Sequence, residues 1–144
     1  MNAPPIVLAS ASPRRYALLE QLGLRFSVEA PDVDETPLLD EAPVPYVQRL
    51  AVAKAHAVHV PAHTLVIAAD TTVDLGGEIL AKPVDADDAR AMLRRLSART
   101  HRVHTGVALR LGDRTVAETI TSLVTFTPLT AALIEWYVGT GEPL

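Results

Sequence analysis

The sequence predicts a mixed α/β fold in a single domain: a central twisted sheet flanked by helices, with one long antiparallel hairpin. Three observations carry that expectation. Thr64 to Ala69 is a continuous apolar run of the kind buried on both faces of a sheet. Segments with apolar residues at helical spacing alternate with strand-like segments. Two long stretches rich in Val and Thr meet at Gly112-Asp113, as in a hairpin. The 144 residues fall within the size of one domain, and no repeat, low-complexity tract or linker divides them, so residues 1–144 read as one unit.

In order along the chain, Ile6 to Ala9 is a short apolar strand after a proline pair. Ser12-Pro13 then opens a helix carrying Leu18, Leu19 and Leu22. Ser12 suits the N-cap, Pro13 the first helical position, where a missing N–H costs nothing, and Gly23 the C′ end. Phe26 to Glu29 reads as a second strand. Pro31 to Pro45 holds four prolines and the acids Asp32, Asp34, Glu35, Asp40 and Glu41, which predicts an exposed acidic loop. A second helix follows from Pro45 to about Val60, with Val47, Leu50, Ala51, Lys54 and Val58 along its faces. After the buried strand, Asp70 stands at its polar end, and Gly76-Gly77 turns a hairpin between Thr72-Val73 and Ile79-Leu80. Asp85 caps a helix running to Ser97, with Asp87 and Asp88 at the positive end of its dipole and Arg94 and Arg95 at the negative end. The long hairpin spans His101 to Leu111 and Arg114 to Thr127, and Thr130 caps a last helix through Val138.

Composition narrows the classes of function. No apolar run approaches the roughly 20 residues that cross a bilayer. The start Met-Asn-Ala-Pro-Pro lacks a basic then apolar leader pattern, so the expectation is a soluble cytoplasmic protein without membrane contact. The absence of cysteine removes disulfides, thiolate metal sites and a cysteine nucleophile. A net charge of −4 argues against a nucleic-acid surface, while local basic clusters stay available for phosphate.

Three constellations could carry chemistry. Ser10-Ala11-Ser12-Pro13-Arg14-Arg15 gathers two hydroxyls and two guanidiniums at a strand-to-helix turn, where free N–H groups and bidentate donors favour phosphate; the same residues read equally as a capped helix with solvated arginines. Neither a Walker A pattern nor a Gly-x-Gly-x-x-Gly fingerprint is present. Asp70-Thr71 follows the apolar strand, a place where ligands gather in open sheets and where a partly desolvated carboxylate can act as a base or hold a cation; an ordinary turn aspartate is the alternative. Lys54 and Lys82 are the two lysines in a chain with eleven arginines, and with Asp34-Glu35 they could hold phosphate and a hard cation such as magnesium, or remain solvated charges. His56, His59 and His63 lack the partners of a zinc pattern, and a Ser–His–Asp hydrolase lacks its Gly-x-Ser-x-Gly elbow.

Read together, Leu8-Ala-Ser-Ala-Ser-Pro-Arg-Arg15, Arg49-Leu50-Ala51 with Lys54-Ala55, Ala69-Asp70-Thr71, Ile79-Leu80-Ala81-Lys82-Pro83, Leu96-Ser97 with Thr100-His101, Thr105-Gly106-Val107 and Gly141-Glu142-Pro143 resemble the Maf family of nucleoside triphosphate pyrophosphatases. The resemblance runs the length of the chain in order. It implies a Maf/ITPase-like fold and a hydrolase that cleaves between the α and β phosphates, using a divalent cation, magnesium or manganese. Arg14 resembles the branch acting on dTTP and UTP. By that resemblance Asp70 is the base that activates water and touches the metal, Glu35 assists with metal or water, and Lys82 joins the catalytic set. Ser10, Arg15 and Lys54 would hold the triphosphate, and Arg14 and Thr71 would influence the base accepted. A regulatory nucleotide- or partner-binding role linked to septum formation, and nucleotidyl transfer, are the alternatives. A homodimer is the default assembly.

Departures from the family carry expectations of their own. The family often has Gly where this chain has Ala11, Ala69, Ala81 and Ala98; a left-handed cap at Ala98 would cost about 1 kcal/mol. The family also continues past Gly141-Glu142-Pro143 by about a quarter of a domain. An exposed apolar edge is therefore expected near Leu144, with Trp136 and Tyr137 incompletely buried.

Overall fold

The computed structural model describes residues 3–143. Its elements run β1 (Ile6–Ala9), α1 (Pro13–Gln21), β2 (Ser27–Val28), α2 (Pro43–Ala57), β3 (Leu65–Leu75), β4 (Glu78–Leu80), α3 (Ala86–Leu96), β5 (Thr100–Leu111), β6 (Arg114–Thr125) and α4 (Ala131–Gly139). The sheet is mixed, in the order β2-β1-β3-β5-β6, with β4 paired to β3. β1 runs parallel to both β2 and β3, whereas β4 is antiparallel to β3. This is the mixed α/β architecture that the alternation of strand and helix patterns predicts. Among the described residues no helix is long and apolar enough to cross a membrane.

Contacts divide the chain into two compact units, one of residues through Thr71 with Thr105–Ile120, the other of Thr72–His104 with residues from Thr121 onward. In the first unit, Ser12 caps α1 by accepting the Arg15 N–H, Pro13 occupies the first turn, and Gly23 takes a φ of 74° just past the end. The leucines whose spacing predicts this helix do not bury it: Leu18 and Leu22 are exposed, so its end chemistry and local contacts such as Tyr16 edge-on to Phe26 fix it. β2 is only two residues long, shorter than its Phe26 to Glu29 expectation.

α2 is held in the opposite way. Its N-cap, Ala42, supplies no side-chain bond, but Val47, Leu50, Ala51 and Ala55 are fully buried, and burial of a Val or Leu contributes about 1.5–3 kcal/mol. Ala51 and Ala55 meet Ala9, Val66, Ala68 and Ala108 on β1, β3 and β5, a core of small residues that brings helix and sheet close. At the far end Arg110 of β5 donates to the carbonyls of Ala55 and Val58, both at 2.9 Å, filling two of the acceptors a helix end leaves open. The helix starts at Pro43 and ends at Ala57, two residues before and three short of the expected span. Prolines in a first turn lose no hydrogen bond, so those that suggested a loop begin the helix instead.

In the second unit, Leu75, Leu80 and Leu96 form one cluster with Val73 and Phe126, and Ala89, Ile134 and Val138 another with Leu93 and Leu129. Asp85 caps α3 by accepting the Asp88 N–H at 2.7 Å, as its sequence predicts. Ala98 takes a φ of 55° beyond that helix, the left-handed cap anticipated with alanine where glycine is easier. Asp74 and His104 form a buried pair, Oδ2 to Nε2 at 2.7 Å, and Thr121 meets the other ring nitrogen at 2.8 Å. Burial alone would raise the Asp74 pKa, but its bonds to His104 and the Gly77 N–H outweigh that and lower it. The last helix ends at Gly139, one residue past the Val138 at which the sequence ends it. Trp136 is 68% exposed and Tyr137 is half-buried; Leu144 lies outside the described residues.

Candidate active site

The site grows from the turn between β1 and α1. Ser10 is buried, and its Oγ accepts the Ser12 N–H at 3.0 Å, which shapes the chain before the helix begins. Ser12 Oγ in turn accepts the Arg15 N–H. The guanidinium of Arg15 reaches across to β3, where Nη2 donates to Thr71 Oγ1 at 3.1 Å, and Thr71 shares a 2.9 Å hydrogen bond with Thr105 Oγ1 on β5. Burial pushes the Arg15 pKa down, and the negative charges of Asp70 and Glu35 oppose that shift. Arg14 is exposed beside it.

Lys54, from the buried helix α2, joins the two acids. Its Nζ lies 2.8 Å from Asp70 Oδ1 and 2.9 Å from Glu35 Oε1. The Lys54 and Asp70 side chains are only 12% and 10% exposed, while Glu35 is 59% exposed. A carboxylate buried alone would be costly; a lysine at contact distance compensates it. The Lys54–Asp70 pair is therefore fixed, and Glu35 approaches it from the solvent side.

One expectation about Asp70 is corrected. It does not end its strand: β3 continues through Thr71 to Leu75. Parallel pairing to β1 covers Leu65 to Ala68 and antiparallel pairing to β4 covers Val73 to Leu75, so Asp70 lies in the interval where the partner changes. That interval lies beyond the carboxyl end of β1, the position at which open α/β sheets hold ligands. The polar residues Asp70, Thr71 and Thr72 are carried on as strand because β4 supplies a partner farther along.

Ser10, Ser12, Arg15, Glu35 and Lys54 line an open cavity of about 410 Å³. Its walls combine hydroxyls, a guanidinium, an ammonium and a helix start with the carboxylates of Asp32 and Glu35, a set that suits a polyphosphate accompanied by a cation. Among the described residues no three His, Asp or Glu side chains converge as a metal cage. Asp70 and Glu35 nevertheless present oxygens to one cation, the Lys54 ammonium. Two hard oxygen donors beside a phosphate cradle fit a magnesium-like ion whose other ligands come from substrate and water. The structure thus brings together Ser10, Arg15, Glu35, Lys54, Asp70 and Thr71. Lys82 is exposed just after β4, in the second unit.

Sequence reasoning assigned no role to three further side chains. Tyr46 is 7% exposed and its hydroxyl donates to the Glu35 carbonyl at 2.6 Å; burial, then the charges of Asp70 and Glu35, raise its pKa. Arg49 grips Glu41 and the Thr36 carbonyl, and Thr105 supports Thr71. A signal for Tyr46 was available, since it precedes Lys54 by about two helical turns on the same helix.

A carboxylate paired to a lysine beside a phosphate-ready turn, on a mixed sheet, defines the class: an α/β protein with a site suited to a polyphosphate. The chain belongs to the Maf family, whose sequence model, described as Maf-like protein, matches residues 5–144. It is 54% identical over 149 residues to a dTTP/UTP pyrophosphatase of Myxococcus xanthus, covering 100% of this chain and 74% of that relative. A dTTP/UTP pyrophosphatase of Thermus thermophilus is 49% identical over 141 residues, covering 98% and 73%. Among solved structures, the Staphylococcus aureus Ham1 protein superposes with a TM-score of 0.60 at 18% identity, over 84% of this chain and 71% of that one. At that identity the likeness is one of fold.

Proposed function

We propose that this protein is a nucleoside triphosphate pyrophosphatase that hydrolyses dTTP and UTP to the monophosphate and pyrophosphate. The single observation that carries the reading is Lys54 holding Asp70 and Glu35 together, with Lys54 and Glu35 lining a cavity that also presents Arg15 and the hydroxyls of Ser10 and Ser12. The names of relatives about half identical over nearly the whole chain support the substrate class and favour hydrolysis over nucleotidyl transfer or a purely regulatory role. The family match over residues 5–144 supports reading the chain as one functional domain.

In this mechanism Ser10, the start of α1, Arg15 and Lys54 bind and orient the triphosphate, and Arg14 and Thr71 bear on the base accepted. Asp70 takes a proton from the attacking water. The water oxygen adds to phosphorus as the α–β anhydride bond breaks, and pyrophosphate leaves with the bond's electron pair. Cationic side chains aimed at the phosphates stabilise that developing charge. Asp70 and Glu35 are the residues that would hold a magnesium or manganese ion, which when bound neutralises phosphate charge. Lys82 is assigned to the catalytic set on the family resemblance, and a homodimer is the assembly proposed.

The test is Asp70→Asn. Loss of a general base costs about 10²–10⁴ in rate, so kcat on dTTP should fall by that order while the thermal melt stays cooperative. A rate equal to wild type in a folded variant would remove Asp70 from the mechanism.

A further inference from the structure

Glu35 sits on a loop that is largely exposed, yet its carboxylate reaches Lys54 at 2.9 Å. A proline-broken segment does not hold one side chain in place unaided, because ordering each loose residue costs conformational entropy. Four contacts from α2 and the loop's own end supply that order. Tyr46 Oη donates to the carbonyl of Glu35 itself at 2.6 Å. Arg49 Nη2 donates to the next carbonyl, Thr36, at 3.2 Å. The same guanidinium clasps Glu41 bidentately, Nε to Oε2 at 2.7 Å and Nη2 to Oε1 at 2.8 Å. Glu41 Oε1 then accepts the Leu38 N–H at 3.0 Å, which closes the loop on itself. The Arg49 guanidinium also lies 5.8 Å from the Tyr46 ring centroid, so the two side chains support each other.

The geometry points to Tyr46 and Arg49 as positioning residues that act through the backbone of Glu35 and Thr36 to hold the Glu35 carboxylate at the Lys54–Asp70 pair. Neither lines the cavity. Their role is to make one helix, α2, the common mount for Lys54 and for the loop that carries the second acid. Tyr46 needs its hydroxyl for this and not merely its ring. Arg49 needs its planar fork, since a lysine can replace the charge but not the simultaneous grip on Glu41 and Thr36.

The inference rests on the proposed role of Glu35 in dTTP hydrolysis, and the experiment separates the two. Tyr46→Phe, Glu35→Gln and the double variant are compared with wild type for kcat and KM on dTTP with magnesium. Tyr46→Phe keeps the buried ring, and loss of one hydrogen bond to a positioned group predicts a fall in kcat of about 5-fold with little change in KM. In the Glu35→Gln background the same change should have no further effect, because there is no carboxylate left to position. Arg49→Lys should resemble Arg49→Gln in activity, and in both the Leu38 amide should exchange with solvent faster than in wild type. Effects of Tyr46→Phe and Glu35→Gln that multiply independently, or a Leu38 amide unchanged in Arg49→Gln, would overturn the positioning role. A wild-type rate in Glu35→Gln would instead overturn the assignment of Glu35, and with it the reason for the clamp.

Discussion

Glu41 shows how one contact changes a residue's chemistry. The two N–H donors of Arg49 hold its carboxyl down to about 2, against an ordinary 4.5; burial works in the other direction and the Leu38 N–H adds to the lowering. A carboxyl lowered by folding stabilises the fold above its unfolded pKa and loses that contribution as pH falls toward the folded one. Wild type should therefore be more stable than Glu41→Gln near neutrality, and the gap should close between about pH 4.5 and pH 2, read by denaturant unfolding across that range. A gap independent of pH would contradict the account. At this scale the sequence discloses residue types well: a rare lysine, Lys54, an acid after an apolar run, Asp70, and an arginine at a helix start, Arg15, all reach the site. It does not disclose the roles of Tyr46 and Arg49, because each acts on a backbone carbonyl of the loop, and the sequence pattern does not show which carbonyl a side chain will meet.

The elements were legible where local chemistry decides them. Ser12-Pro13, Asp85 and Thr130 each accept the N–H that an N-cap should accept, and the Gly112 turn joins β5 to β6. They were less legible where tertiary pairing decides: β3 extends past Asp70 because of β4, and α2 begins among prolines because its buried face pulls that turn onto the sheet. The close approach of α2 to β5 has its own test at Gly106. A Cβ there would sit 2.5 Å from the Val47 carbonyl oxygen and 2.7 Å from its carbon, and backbone atoms cannot swing aside. Gly106→Ala should cost about 1–3 kcal/mol in denaturant unfolding, through overpacking. It should also lower activity, since the helix it displaces carries Lys54. Unchanged stability would mean that helix and strand separate more freely than their alanine-rich contact implies.

At the scale of the whole molecule, the α/β fold with its central sheet and the family membership agree with what the motif order implied. The chain spans about three quarters of the length of the relatives named above, and the site described lies within residues that match them. Composition excluded thiol chemistry at the outset, and the structure leaves the work to carboxylates, lysine, arginine and hydroxyls. The proposed division of labour is physical: a small-residue core lies under Lys54 and Asp70, a capped helix start would offer donors to phosphate, and a clasped loop would position Glu35. The central claim is that this arrangement splits the α–β anhydride bond. Phosphorus NMR of dTTP incubated with the protein and magnesium tests it most directly. The account predicts thymidine monophosphate and pyrophosphate in equal amounts; thymidine diphosphate and orthophosphate would contradict it.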